Sequence, residues 1–434
     1  MLLSILISLA AFFWLLIILR RDRLSLGIPV AYLFALLFIH LPGAFAHLVD
    51  QGILLDTKYT EIGIRFTAIA SVCFVVGVRL ALYGIKRPIV PNRGLANRTD
   101  FWVFCVVAGW FVIYGLSFLS GIPSIGAAIE KGGGIWMLGV LLGLRYAFRK
   151  RDLIGIAKWG SAMAVYPVLM LVLGGFISFG STAVFIVLSG LTISMRSVWR
   201  TMILACLVSF LFLNLFLSYY ENRTNIRNAV WGEAGMNSRI DASLGIFRDF
   251  KVINPANSDH LRHLDQRLNQ NYFVGLAASR IESGQAQFQN GKTLWDGVIS
   301  LVPRIIWPDK PVYGGSPGII EEMTGFIVAE GSSYGAGNVM EFHINFGIPS
   351  LIIGFLVLGW LFGYLDRKAA MAEAKGDLGE AIVFFLPASA MIHPNGSLIE
   401  LMGGGAAALV AAIGWKAVWI SLSQKYQNNE HGSE

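Results

Sequence analysis

Residues 2 to 19 read LLSILISLAAFFWLLIIL, without one charged side chain, and the run is closed by Arg20, Arg21 and Arg23. A helix advances 1.5 Å per residue, so about 20 apolar residues cross the hydrocarbon core of a bilayer. The run therefore reads as one helical crossing with its cations gathered at one exit. No basic residues precede it and no small-residue cleavage site follows, so the reading is a retained helix and not a signal peptide. Working outward, further apolar runs fall at about 28–47, 64–84, 101–121, 132–147, 155–179, 181–195, 199–219, 345–365, 380–395 and 398–422. Those near 132, 181 and 380 are short, as tilted or re-entrant pieces can be, and the total is about eleven.

The composition of the 434 residues agrees: 55% are hydrophobic, 14% are charged and the mean hydropathy is +0.62. A soluble domain carries roughly 25% charged residues. An ordinary cytosolic enzyme is excluded, and the expected class is an all-α polytopic membrane protein. Cys73, Cys105 and Cys206 all lie in apolar runs, which leaves neither a disulfide framework nor a thiolate metal site to the polar segments. The net charge of +7 is read through its placement. Basic residues crowd every second connection: Arg20, Arg21 and Arg23; Lys86, Arg87, Arg93 and Arg98; Arg145, Arg149, Lys150 and Arg151; Arg196 and Arg200; Arg367, Lys368 and Lys375. The alternating connections hold only Lys58 and Lys131. By the positive-inside rule the N-terminus is outside and the C-terminus cytoplasmic.

Three regions follow. Residues 1–219 hold about eight transmembrane helices, 220–344 form a large external loop, and 345–434 hold about three more helices and a short cytoplasmic tail. The loop has 11 basic and 13 acidic residues, and its aromatic content and lack of low-complexity sequence predict folded structure. Leu261, Leu264, Leu268 and Tyr272 recur at helical spacing, predicting one amphipathic helix over 259–282, capped by Ser258 and resting on the membrane portion. The Gly- and Pro-rich stretch 308–337 reads as a long irregular loop.

Ionisable residues within apolar spans are costly and mark candidate sites. His40, Arg65, His393 and Glu400 fall toward the outer ends of their helices, which points to one outward-facing polar site, although each can also snorkel to the headgroups. Arg79 and Lys416 lie near inner ends and read as anchors. The segment 301–311, LVPRIIWPDKP, presents Arg304 and Lys310 on a backbone stiffened by three prolines. A guanidinium can grip two phosphate oxygens and an ammonium adds a point charge, the chemistry that holds a lipid diphosphate. Next, GNVMEFHINFG (337–347) puts Glu341 and Asn345 on one helix face, with His343 pointing elsewhere. Glu341 at the water boundary is suited to general base chemistry or to holding an acceptor hydroxyl. His260 and His263 lack further ligands at helical spacing and read as a solvated helix face. No phosphate-binding Gly-rich loop and no basic block for nucleic acid occur.

The segments Gly291-Lys-Thr-Leu-Trp295 and 301–311, with Glu341 and Asn345-Phe-Gly347 entering the next span, resemble the Wzy-type polymerases of O-antigen and exopolysaccharide repeat units. Pro-Arg-x-x-Trp-Pro-x-Lys-Pro is the most specific part, and the arrangement of spans around one late external loop extends the likeness over most of the chain. The resemblance implies a GT-C-like glycosyltransferase of the bacterial inner membrane. It would act at the periplasmic face on undecaprenyl-pyrophosphate-linked oligosaccharides, among membrane lipids, with no metal or other cofactor and no nucleic acid, and in some cases with a chain-length regulator. Arg-x10-Gly spacings mark external loops in that family, and Arg280 with Gly291 and Arg304 with Gly315 fit. Ala336 and Gly337 stand where related O-antigen ligases carry a His-Asn pair, so the base is Glu341 or His343. Ser178-Phe-Gly-Ser-Thr182 lacks the arginine common between two middle spans, which leaves Arg65 as the second phosphate-binding cation. The expected scheme has Arg304, Arg65 and Lys310 on the diphosphate and Trp295, Trp307 and Tyr313 stacked on sugars. An O-antigen ligase or a lipid-linked oligosaccharide transporter is the alternative.

Overall fold

The structure, a computed structural model, describes residues 1–49, 55–84, 98–119, 121–122, 124–175, 177–195, 197–232, 235–304, 306–311, 315–328 and 334–431. Among these there are eighteen α-helices and no strand. In the first half they are α1 (Leu2–Asp22), α2 (Ile28–Val49), α3 (Thr57–Gly84), α4 (Thr99–Trp110), α5 (Ile125–Gly132), α6 (Ile135–Lys150), α7 (Leu153–Gly174), α8 (Ile177–Ser194) and α9 (Val198–Trp231). The rest are α10 (Met236–Arg248), α11 (Ser258–Arg267), α12 (Gln270–Glu282), α13 (Lys292–Ser300), α14 (Gly315–Thr324), α15 (Asn338–Phe346), α16 (Ile348–Lys375), α17 (Leu378–Ala390) and α18 (Leu398–His431). Eight elements are long and apolar enough to span a membrane: α1, α2, α3, the α5–α6 unit, α7, α9, α16 and α18. Three shorter apolar helices, Thr99–Gly115, Gly180–Ser194 and Leu378–Ala390, lie at three further runs of the sequence. The chain is an all-α polytopic membrane protein.

Helix α3 lies at the centre, packed against α1, α2, α12 and α16. Tyr32 of α2 is wedged between Phe74 of α3 and Phe362 of α16, at ring separations of 4.8 and 4.7 Å, and its hydroxyl donates to Asn338 Oδ1 at 2.8 Å. A fully buried phenol is stable there because its polar tip has found a partner. Gly63 and Gly275 leave no room for a Cβ, which lets the backbones of α3 and α12 touch.

The two ends of the bundle differ in chemistry. At one end Arg20 donates to the carbonyls of Thr192 and Ser197, at 3.0 and 3.3 Å, and to the Thr201 hydroxyl. Arg145 donates to Ser194 Oγ at 3.1 Å, and buried Arg367 pairs with Asp22. Asp366 Oδ1 accepts the N–H groups of Leu26 and Ile28, at 3.0 and 3.2 Å, where the chain enters α2. Arginines from basic connections far apart in sequence thus meet at one end. The helices of the 220–344 region occupy the other.

That region and its border with the next span depart from the sequence expectation at three points. The expected helix over 259–282 is two, α11 and α12, broken at Leu268 and Asn269, and its cap is Asn257, whose Oδ1 accepts the Asp259 N–H at 2.9 Å, and not Ser258. The expected irregular stretch 308–337 contains α14. Pro317 falls in its first turn, where a missing N–H costs nothing, and Ile320 and Met323 are buried. The run placed at 345–365 starts at Ile348 because Gly347, at φ +71°, separates α15 from α16.

The break after α11 has a cause. Residues 265–271 are clasped between α2 and α3. His47 Nε2 meets Asp265 Oδ1 at 2.9 Å and His47 Nδ1 meets Thr57 Oγ1 at 3.0 Å, while Asp265 Oδ2 accepts the Leu55 N–H at 2.7 Å. Asn269 Nδ2 donates to Thr60 Oγ1 at 2.8 Å. Asn271 exchanges hydrogen bonds with His40, Nδ2 to the carbonyl at 2.6 Å and Oδ1 to ring Nδ1 at 2.7 Å. Pro42, inside α2, brings no N–H to the helix here, and the Gly43 N–H donates to the Leu268 carbonyl at 2.9 Å.

Candidate functional site

Three helix ends build the site. Gly291, at φ +87°, turns the chain into α13, and its N–H donates to Asn345 Oδ1 at 3.0 Å. Asn345 Nδ2 donates to Thr293 Oγ1 at 2.8 Å and to the Glu341 carbonyl at 2.7 Å. Both polar atoms of buried Asn345 are therefore occupied in joining α13 to α15, a positioning role.

Glu341, one turn earlier on the same face, is fully buried. Its Oε2 accepts the Leu398 N–H at 2.6 Å, at the start of α18, while Oε1 has no hydrogen-bond partner. Burial pushes the carboxyl up to about 8; the Leu398 N–H and the Thr293 hydroxyl oppose that shift, and the nearby Glu400 and Asp296 carboxylates add to it. A group poised near neutrality can both take and return a proton. His343 instead stacks on Phe66 of α3 at 4.5 Å with its Nδ1 buried and unpartnered, and burial lowers the ring to about 4. Its imidazole is neutral at pH 7 and belongs to another face of α15.

Arg304 and Lys310 lie together on the turn after α13. The Arg304 N–H donates to Ser124 Oγ at 3.1 Å and its Nη1 to the Lys310 carbonyl at 3.0 Å. Lys310 Nζ donates to the Val302 carbonyl at 2.8 Å, and burial together with the Arg304 charge holds it below the usual lysine range. Trp295 and Trp307 are exposed. Tyr313 lies outside the described residues. Arg65 pairs with Glu61 at 2.6 Å on an exposed face of α3, and among the described residues it shares no hydrogen-bond partner with Arg304 or Lys310. Arg280, in the last turn of α12, lies against Gly325 and not against Gly291.

The four polar residues expected to form one site are divided. His40 belongs to the clasp on residues 265–271. Glu400 closes a capping box, with Oε2 accepting the Ser397 N–H at 3.2 Å while Ser397 Oγ accepts the Glu400 N–H at 3.4 Å, and it also pairs with His393 at 3.4 Å. Ser397-Leu-Ile-Glu400 carries that signature in the sequence. His260 is buried, its Nδ1 accepting the Asn254 N–H at 3.1 Å, and His263 lies on the Tyr220 ring, so this pair is not a solvated face.

One cation group escaped the sequence reading. Arg223 and Arg227 on α9 and Arg267 at the end of α11 converge around Tyr219 and Tyr220. Arg267 lies 4.3 Å from the Tyr334 ring centre and Arg223 5.6 Å from that of Tyr220. The carboxylate beside them, Glu221, is engaged by Lys251 at 2.7 Å. The available signal was the four-residue spacing of Arg223 and Arg227 just past the 199–219 run.

Neither the protein-family models, the curated proteins nor the solved structures searched contain a match to this chain. The residues alone therefore carry the functional argument. Among the described residues no three His, Cys, Asp or Glu side chains gather to hold a metal ion. What they do offer is a buried carboxyl with one open oxygen and two groups of cations at the same end of a membrane bundle, a combination suited to activating a hydroxyl and receiving an anionic leaving group.

Proposed function

We propose that the protein polymerises undecaprenyl-pyrophosphate-linked oligosaccharide repeat units at the periplasmic face of the bacterial inner membrane. The observation that carries this reading is Glu341, a buried carboxyl with Oε1 unpartnered at the loop-bearing end of the bundle. The acceptor hydroxyl of the incoming unit gives its proton to Glu341 as its oxygen attacks the anomeric carbon of the growing chain. The bond from that carbon to the lipid diphosphate breaks in the same step, with inversion. His343, pulled well below neutrality, is the weaker base. Arg304 and Lys310 supply positive charge to the departing diphosphate, and the Arg223, Arg227 and Arg267 group adds to it. Arg65, tied to Glu61, stands apart from this grip. The exposed rings of Trp295 and Trp307 are available to stack on sugars. The energy lies in the sugar diphosphate bond, so no nucleotide is required.

Reconstituted protein given lipid-linked repeat units alone should yield a ladder of polymers. Glu341→Gln should abolish the ladder, and Arg304→Ala should leave single repeats with the protein inserted normally. Near-normal chain growth in Glu341→Gln would remove Glu341 as the base. Product formed only when a lipid A core acceptor is added would identify a ligase.

A further inference from the structure

At the end of the bundle opposite the loop helices, a cleft of about 560 Å³ lies between α1 and α3. One wall is apolar, formed by Trp14, Ile17 and Ile18 of α1 and Leu82 of α3. Arg21, Arg79 and Arg367 supply three guanidinium groups and Asp22 one carboxylate. Asp22 is paired with Arg367, so among the described lining residues Arg21 and Arg79 leave two positive charges in excess. Arg21 is exposed in the last turn of α1. Arg79 is braced by Tyr83, its Nη2 donating to the phenol oxygen at 2.9 Å, which fixes the guanidinium at the rim without neutralising it.

Two uncompensated cations above an apolar wall on membrane-spanning helices fit an amphiphile with an anionic head. A free phosphate would engage the rim and leave the wall unused. A zwitterionic lipid brings an ammonium that the same cations repel. We infer that the cleft is a binding site for an anionic phospholipid, its phosphate between Arg21 and Arg79 and its acyl chain along Trp14, Ile17 and Ile18. The inference is independent of the polymerase reading, since none of these residues belongs to the Glu341 site.

Native mass spectrometry of the full chain in detergent tests it, with phosphatidylglycerol, phosphatidylcholine and inorganic phosphate as separate probes. Phosphatidylglycerol should be retained preferentially, and the double variant Arg21→Gln, Arg79→Gln should weaken its binding about thirty-fold. The charge-conserving double variant Arg21→Lys, Arg79→Lys should retain much of the affinity. Arg149→Gln, an exposed cation on α6 away from the cleft, should leave binding unchanged, which separates the site from general surface charge. Equal retention of phosphatidylcholine, displacement by inorganic phosphate, or undiminished binding in a monodisperse double variant would each overturn the assignment.

Discussion

At the scale of single residues, Glu341 makes two separable predictions. As a base it works ionised, so the rate of chain growth should rise with pH and level off near its pKa of about 8. Its effect on stability runs the other way. Below about pH 4.5 the carboxyl is protonated in both the folded and unfolded chain. Between there and about 8 the unfolded chain ionises while the buried group keeps its proton, so this residue's contribution to stability falls as pH rises through that window. Glu341→Gln, which cannot ionise, should therefore melt increasingly above the parent protein from pH 5 to pH 8. A melting difference that stays flat over that range would show that the carboxyl is not held protonated. The sequence revealed the shared face of Glu341 and Asn345 because helical spacing is local. It did not reveal that Asn345 is occupied in holding Gly291 and Thr293, since those partners lie more than forty positions earlier in the chain.

At the scale of elements, the clasp on residues 265–271 should be among the most sensitive parts of the fold. Asp265→Ala removes the buried carboxylate shared by His47, the Leu55 N–H and Asn269, leaving the Leu55 N–H without its acceptor and His47 Nε2 and Asn269 Nδ2 with the Thr60 hydroxyl, a loss of about 3 kcal/mol. The variant should melt lower in detergent and become susceptible to protease near residues 255–270, while an exchange such as Asp259→Ala on the exposed side of α11 should do neither. Here sequence periodicity ran out for an identifiable reason. Leu261, Leu264, Leu268 and Tyr272 continue one helical stripe, and nothing local signals the stop. The stop is set by His40, Thr60 and Thr67, more than two hundred residues away, which draw Asn269 and Asn271 out of helical register. Eight spans stand out in the structure because an apolar run of sufficient length is itself the physical requirement for crossing.

At the scale of the whole molecule, the meeting of Arg20, Arg145 and Arg367 at one end and of the 220–344 helices at the other gives the positive-inside argument a three-dimensional counterpart. An alkaline phosphatase reporter fused within residues 235–257 should be active, and a fluorescent protein after α18 should light up in the cytoplasm. The reverse pattern would place Arg304 on the wrong side for a lipid-linked substrate at the periplasmic face. The clasp also bears on biosynthesis. His40 and Thr67 enter the bilayer early, yet Asn271 leaves the ribosome 231 residues after His40. Until then His40 and Thr67 have one another, at 3.0 Å, but lack the Asn271 amide that completes the clasp. Chains stalled before residue 271 should therefore be degraded faster than the complete protein, and equal half-lives in a pulse-chase would refute this.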